Sequence, residues 1–279
     1  MNDTANRAVT ESVPPSIGNG SNAGGTRSHP LYAIEVEPEP PRDPQFVVVC
    51  YRVAEFLLAL TVLVVTLPII LLEALIIKLD SPGPALFFQT RFGRSKIMRG
   101  AELIGRTDVV PAPGRTFEPD KLYHVPTTFT FVKFRTMYVD ARERFPELYR
   151  YNFGSHEEFL KAYYKDEDDP RVTRVGRWFR LMTVDELPNL WSVVTGHAAL
   201  VGPRPENPSV LPYYSPEEMR KFTVRSGVTG FSQIKGRGNI TIGEHLYWDV
   251  RYVRERSVMV DVKTLFITLW LVLTHHGAF

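Results

Sequence analysis

Apolar side chains form one dominant run along the chain, from Phe46 to Leu79. About seventeen uncharged residues separate Glu55 from Glu73, which is the lower limit for a helix that crosses roughly 30 Å of hydrocarbon. Soluble domains seldom contain a helix that is apolar on every face over such a length. The pattern therefore predicts a membrane helix over residues 45–80.

Pro68 lies in the interior of this run. A proline there removes a backbone hydrogen bond and should kink the helix. Glu73 and Lys78 make the second half better suited to the membrane interface than to the bilayer centre. We therefore predict a re-entrant helix hairpin that breaks at Pro68 and leaves the membrane by the face through which it entered. Basic residues that follow the helix assign the rest of the chain to the cytoplasm.

Weaker patterns describe the remainder of the chain. Residues 1–44 are rich in Gly, Ser, Asn, Thr and Pro, which predicts a disordered tail. Residues 98–128 lack clear periodicity and are expected to form an insertion or a hairpin within a cytoplasmic domain that spans 81–279. Val258 begins a C-terminal helix with one apolar face, which suits either the bilayer surface or packing on the membrane hairpin. The predicted fold is mixed α/β, mainly helical, and monotopic in the membrane.

Amino-acid composition excludes only a few classes of partner and site. The 279 residues carry a net charge of +2, so that overall charge favours no nucleic-acid partner. Cys50 is the single cysteine, which excludes an intrachain disulfide framework and a multi-cysteine metal site. Any claim about partners therefore depends on where the charged residues lie.

Two adjacent carboxylates, Asp185 and Glu186, precede a short apolar stretch that contains Pro188. We favour Asp185 as the N-cap of a helix, because Pro188 then lies in the first turn. The alternative is a capping box from Thr183 to Glu186, in which Pro188 would remove a helical hydrogen bond. Either register places Asp185 at the positive end of a helix, which stabilises an ionised, nucleophilic carboxylate. A simple cap is the more common role of such a pair, so the rest of the chain has to support a catalytic one.

Basic residues surround this acidic pair along the sequence. An arginine recurs at every third position from Arg171 to Arg180, directly before the pair. A strand is predicted over residues 128–137, with Lys133 and Arg135 on one face. The glycine-rich stretch 224–238 includes Arg225, which we expect to contact phosphate. Such a site suits a phosphorylated, lipidic substrate, because a carboxylate can attack phosphorus and form an acyl phosphate.

Seven motifs occur in the order of the bacterial sugar transferase family, which comprises the monotopic polyprenyl-phosphate phosphoglycosyl transferases. The chain resembles the short form of that family over roughly residues 46–276. The motifs are Ser81-Pro-Gly-Pro84, Gln89-Thr-Arg91-Phe-Gly93, Lys133-Phe-Arg-Thr-Met137, Val184-Asp-Glu-Leu-Pro-Asn-Leu190, Val201-Gly-Pro-Arg-Pro205, Arg225-Ser-Gly-Val-Thr-Gly230 and Asp249-Val-Arg-Tyr-Val253.

The resemblance implies transfer of a sugar 1-phosphate from a UDP-sugar to undecaprenyl phosphate with release of UMP. It implies that Asp185 is the nucleophile, that Glu186 is its catalytic partner and that Mg²⁺ is required, with Asp185 as its ligand. It places Pro68 at the break of the membrane helix. Residues that fall on family positions for substrate or phosphate contact are Lys133, Arg204, Asp249 and Arg91.

The implied location is the cytoplasmic face of the bacterial inner membrane, with the lipid bilayer as a partner. Whether the chain forms a homodimer is left open. A catalytically silent membrane scaffold is a rival hypothesis, supported only by the insertion and by the unusual sequence Gly196-His-Ala-Ala199. A nucleic-acid binder that uses the arginine stripe is a third, but no matching motif occurs and the membrane segment would be unexplained.

Overall fold

The computed structural model of the chain contains two long antiparallel strands. The segment 100–121, which contains glycine and proline, connects them. The structure describes residues 31–37, 43–149, 153–163, 168–236 and 240–274. The strands are β1 (Leu31–Tyr32), β2 (Ile34–Glu35), β3 (Leu86–Arg99), β4 (Val109–Val110), β5 (Leu122–Phe134), β6 (Ala199–Val201) and β7 (Gly227–Thr229). The α-helices are α1 (Gln45–Asp80), α2 (Gly100–Leu103), α3 (Ala141–Arg144), α4 (His156–Lys161), α5 (Arg174–Met182), α6 (Leu190–Val194), α7 (Phe231–Gly236), α8 (Ile242–Glu255) and α9 (Val258–Thr274).

The strands form three small sheets. β5 lies between β2 and β3 in an antiparallel sheet, β1 pairs with β4, and β6 pairs with β7 in parallel. The register of β3 on β5 shifts between Phe92 and Arg94, which is a β-bulge. The hairpin expected within 98–128 is thus the far end of the long β3–β5 pair.

The predicted disordered tail is too long. Leu31–Tyr32 and Ile34–Glu35 are short strands, and the second of them pairs with β5. The part of the predicted tail before residue 31 lies outside the described residues. Strands of two residues are too short to show alternation, so the sequence pattern could not reveal them.

Helix α1 covers the predicted membrane segment as one helix of 36 residues with Pro68 inside it. Among the described residues it is the one helix that is long and apolar enough to cross a membrane, and only 11% of its most apolar stretch is buried. A core helix of a soluble domain would be mostly buried. The break at Pro68 is not visible as an interruption of this helix, so the hairpin itself stays a prediction.

Helix α1 packs on the rest of the protein on both sides of Pro68. Ala59 belongs to a core cluster with residues of α6 and β6. Ile77 packs instead with Phe134 at the end of β5 and with Phe179 of α5. The residues around the proline, such as Val65 and Leu71, are more than half exposed. The helix is therefore held near both ends while its centre presents an apolar surface.

Helix α9 is attached to the core by polar contacts and exposes apolar side chains. The hydroxyl of Tyr252 in α8 donates to Asp261 Oδ1 at 2.7 Å. Met259 and Phe266 are 73% and 69% exposed. The helix thus packs on the domain with one side and leaves an apolar side uncovered.

Candidate active site

Asp185 and Glu186 lie in a turn between α5 and a short 3-10 helix, Leu187–Asn189, that leads into α6. Both predicted capping registers are wrong. Thr183 ends α5 in the left-handed conformation with φ 57°, so it cannot begin the next helix. Glu186 rather than Asp185 occupies the cap position, and its side chain makes no capping hydrogen bond. The 3-10 turn arises where Pro188 would otherwise break an α-helix.

The end of β5 fixes the acidic pair. The backbone N–H of Phe134 donates to the carbonyl oxygen of Asp185 at 2.9 Å. Lys133, the preceding residue, therefore lies beside the pair. Burial lowers the pKa of Lys133 to about 8, although the charges of Asp185 and Glu186 oppose the shift. The ammonium group is thus a cation that titrates near physiological pH.

Arg204 is the second cation at the pair. Its Nη2 donates to Glu186 Oε1 at 2.8 Å, and the Glu186 carboxylate raises the pKa of Arg204. The loop that carries Arg204 is joined to β3, because Phe92 and Glu206 exchange backbone hydrogen bonds of 2.8 and 2.9 Å. Arg91 Nη1 also donates to the carbonyl oxygen of Pro205 at 3.2 Å. These bonds hold Arg204 and Arg91 on one side of the acidic pair.

These residues line one cavity of about 1300 Å³. Its lining combines Asp185, Glu186 and several cations with apolar side chains of α1 and α9. The polar lining includes Arg91, Lys133, Arg180, Asp185, Glu186, Arg204 and His245. The apolar lining includes Leu58, Val62, Leu265, Phe266, Leu269 and Val272. One cavity is therefore lined both by groups that can bind an anion and by apolar side chains of the two helices.

Asp249, predicted to contact substrate, does not line this cavity. It is 1% exposed on α8, and Lys221 Nζ lies 2.7 Å from its Oδ2. The same ammonium group donates to Glu206 Oε1 at 2.8 Å, and Ser232 donates to Asp249 Oδ1 at 2.8 Å. Asp249 thus belongs to a buried ionic triad with Lys221 and Glu206, of which only Glu206 lines the cavity.

Arg225 is also absent from the lining of this cavity, contrary to the sequence-based prediction. Its Nη2 lies 3.7 Å from Glu55 Oε2, on the side of α1. The glycines near it allow close packing of backbone segments. A Cβ atom on Gly227 would lie 2.1 Å from the backbone nitrogen of Gly202, so the two segments approach as closely as glycine allows.

Arg180 and His245 are among the cavity residues that the sequence did not predict individually. Arg180 lies at the end of the arginine stripe, and its Nε donates to the hydroxyl of Thr136 at 3.0 Å. The three-residue spacing before Asp185 was a signal for it. His245 precedes Asp249 by one turn of α8 and is 7% exposed. No sequence pattern distinguished it.

The donor set is compatible with Mg²⁺. Among the described residues no group of three or more His, Cys, Asp or Glu side chains could hold a metal ion. Mg²⁺ often needs only one or two carboxylates, since substrate phosphates and water complete its coordination. Asp185 and Glu186, which line the cavity beside several cations, meet that requirement.

The model of the bacterial sugar transferase family matches residues 46–99 and 116–275. The match thus covers nearly all of α1, the acidic pair and α9. It omits residues 100–115, which fall inside the segment that we expected to be an insertion.

Several curated proteins are similar to this chain. The galactosyl transferase CpsE of Streptococcus agalactiae serotype III (strain NEM316) is 34% identical over 197 residues, which cover 70% of this chain and 36% of that protein. An undecaprenyl-phosphate glucose phosphotransferase of Komagataeibacter xylinus is 32% identical over 213 residues, or 72% of this chain and 32% of that protein. A UDP-glucose:undecaprenyl-phosphate glucose-1-phosphate transferase of Caulobacter vibrioides (strain ATCC 19089 / CIP 103742 / CB 15) is 33% identical over 236 residues, or 82% and 71%. The chain spans about a third of the length of the first two and most of the third.

Proposed function

The chain belongs to the bacterial sugar transferase family, and on that premise we propose that it transfers a sugar 1-phosphate from a UDP-sugar to undecaprenyl phosphate. The observation that carries the proposal is that one cavity is lined both by the acidic pair with several cations and by apolar side chains of α1 and α9. The charged lining suits a nucleotide-sugar, and the apolar lining suits a polyprenyl chain. The product would begin a glycan such as an exopolysaccharide, a capsule, an O-antigen or a glycoprotein glycan.

The proposed reaction has two displacements at one phosphorus atom. A carboxylate oxygen of Asp185 attacks the β-phosphorus of the UDP-sugar, and the bond to the bridging oxygen breaks to release UMP. The aspartyl phosphosugar is then attacked by a phosphate oxygen of undecaprenyl phosphate. That second step restores the Asp185 carboxylate and yields undecaprenyl diphosphate-sugar.

Cations of the cavity have proposed roles in charge stabilisation. Arg204 and Lys133 face the acidic pair and would neutralise the negative charge that develops on the transferred phosphoryl group. Arg91, which lies in β3 and donates a hydrogen bond to Pro205 in the loop of Arg204, would contact the diphosphate. Glu186 keeps Arg204 in place through the 2.8 Å bond. Mg²⁺, held by Asp185 of the acidic pair and by the diphosphate, would supply further charge neutralisation.

The sheet supports a re-entrant position of α1 in the cytoplasmic membrane. β2 precedes α1 and β5 follows it, yet the two strands pair with each other, and Ile34 lies opposite His124. Glu37 likewise forms an ion pair with Arg220 at 2.8 Å. A helix that crossed the bilayer once would place these partners on opposite sides. The proposed geometry therefore has both ends of α1 and the catalytic domain on the cytoplasmic face.

This topology predicts the labelling of engineered cysteines. In a Cys50→Ser background, Glu37→Cys and Asp120→Cys are expected to react with a membrane-impermeant maleimide only after the cells are permeabilised. Val65→Cys, at the exposed centre of α1, is expected to stay unlabelled because lipid covers it. If Glu37→Cys alone were labelled in intact cells, α1 would cross the membrane and the re-entrant geometry would be wrong.

The pKa of Lys133 predicts a pH dependence. We expect kcat/KM for the donor to fall as pH rises through about 8, because the ammonium group then loses the charge that faces the diphosphate. Lys133→Arg should lose this falling limb, since guanidinium stays protonated. The check is a profile of UMP release between about pH 6.5 and 9.5, with the exposed Lys121→Arg as control. An unchanged limb in Lys133→Arg would exclude Lys133 as its origin.

A further inference from the structure

A second, smaller cavity of about 290 Å³ lies apart from the proposed active site. Among the residues that the structure describes, it shares none of its lining with the larger cavity. Its walls carry the side chains of Arg52, Arg94, Arg225 and Arg256. These arginines come from α1, β3, the segment before β7 and the end of α8, so that the fold and not the sequence brings them together.

The positive charge of this arginine cavity is largely uncompensated. Glu55 contacts two of its arginines, with its Oε2 at 2.7 Å from Arg52 and 3.7 Å from Arg225, and the charge of Asp261 also acts on Arg52. The other oxygen of Glu55 accepts a hydrogen bond from the backbone of Leu200 at 2.7 Å. Within the described residues, no carboxylate forms an ion pair with Arg94 or Arg256. Glu55 therefore pairs with two of the four guanidinium groups.

The repulsion is visible at the most enclosed of these side chains. Arg225 has a side chain that is 25% exposed. Burial lowers its pKa, and the neighbouring charges of Arg52 and Arg94 act in the same direction. An anion in the cavity would relieve this repulsion, because guanidinium groups bind phosphate oxygens with two parallel hydrogen bonds.

The arginine cavity lies where the two apolar helices begin. Arg52 is in α1, just before the uncharged run that starts after Glu55, and Arg256 precedes α9 by two residues. The backbone N–H of Val258 donates to Asp43 Oδ2 at 2.9 Å, so the starts of the two helices adjoin. Beyond this edge both helices expose apolar side chains, Met259 among them. The cavity is thus at the border between polar and apolar surface, where a bilayer presents its headgroups.

We propose that the arginine cavity binds the phosphate of an anionic phospholipid headgroup from the surrounding bilayer. The charge of the cavity fits a phosphodiester, its position fits a lipid whose chains run along α1 and α9, and its volume fits a headgroup but not a folded partner. A lipid bound there would fix the depth of both helices in the membrane. The proposal does not depend on the chemistry in the larger cavity.

Lipid binding to the full chain in detergent micelles tests this proposal. Native mass spectrometry would count the bound molecules during titration with phosphatidylglycerol, with phosphatidylcholine and with inorganic phosphate. We expect one tightly bound phosphatidylglycerol and about tenfold weaker binding of it to Arg94→Gln/Arg256→Gln, because charge-assisted hydrogen bonds are lost. The matched control is Arg99→Gln/Arg254→Gln, which removes the same charge outside the cavity and should bind as the unmodified chain does. Arg254 pairs with Glu217 on the protein surface.

Three results would overturn the proposal. These are equal binding of phosphatidylglycerol by the two double variants, equal binding of phosphatidylcholine and phosphatidylglycerol, and binding of inorganic phosphate as tight as that of the lipid. The variant Arg94→Lys/Arg256→Lys retains the charge and should keep part of the affinity, which separates loss of binding from loss of folding. UMP release by the same preparations reports on the larger cavity independently.

Discussion

Replacing Asp185 with asparagine is expected to lower UMP release by about 10³-fold or more, because an amide cannot act as the nucleophile at phosphorus. The substitution is isosteric, and the backbone bond from Phe134 to residue 185 is unaffected. The measurement is UMP release by the full chain with undecaprenyl phosphate, Mg²⁺ and either UDP-glucose or UDP-galactose. The matched control is Asp140→Asn, whose carboxylate forms an exposed ion pair with Arg144 and should not affect the rate.

The covalent intermediate gives this prediction a second readout. Without undecaprenyl phosphate, the unmodified chain should release about one UMP per active site and gain the mass of a phosphosugar. Peptide mapping should place that mass on Asp185. Normal turnover by Asp185→Asn would refute the nucleophile assignment. A modified residue elsewhere, such as Glu186, would keep the two-step reaction and reassign the nucleophile.

Helix α1 was predictable because its signal is local. The uncharged run after Glu55 is long, and no packing arrangement of a soluble domain explains it better. Its bounds in the structure, Gln45–Asp80, are those expected from composition. The strand that carries Lys133 was likewise visible from alternation, although β5 begins at Leu122, before the predicted 128, and ends at Phe134, so that Arg135 lies beyond it. Local periodicity thus sufficed for the elements that form the walls of the site.

The arrangement around the acidic pair was not predictable in the same way. The cap of the turn depends on Thr183 adopting a left-handed conformation, which residue preferences disfavour. The positions of Asp249 and Arg225 depend on partners far away in sequence, Lys221 for the first and Glu55 for the second. A motif identifies the residue type but not whether that residue lines the cavity. The sequence therefore indicated which residue types to expect, but Asp249 and Arg225, predicted to contact substrate or phosphate, do not line the cavity that contains the acidic pair.

The buried triad of Lys221, Glu206 and Asp249 yields the largest expected effect on stability. Lys221 has no exposed side-chain surface, and its ammonium group contacts both carboxylates. Lys221→Met removes the positive charge and leaves two carboxylates in an interior from which water is excluded. We expect the free energy of unfolding to fall by about 3–5 kcal/mol, as when one partner of a buried ion pair is removed. Denaturant titration of the full chain in detergent micelles at pH 8 would measure it, with the surface variant Arg251→Met as control.

Acid conditions separate the effect of charge from that of packing. Burial already raises the pKa of Asp249, and removal of the ammonium group removes the interactions that oppose this shift. A carboxyl group whose pKa is higher in the folded than in the unfolded state destabilises the fold once pH rises above the unfolded value. The loss of unfolding free energy in Lys221→Met should therefore shrink as pH falls towards 5. The triple variant Lys221→Met/Glu206→Gln/Asp249→Asn should recover much of that free energy at pH 8. A deficit that is independent of pH and unchanged in the triple variant would show that Lys221 contributes through packing, and that the triad does not hold Glu206 by charge.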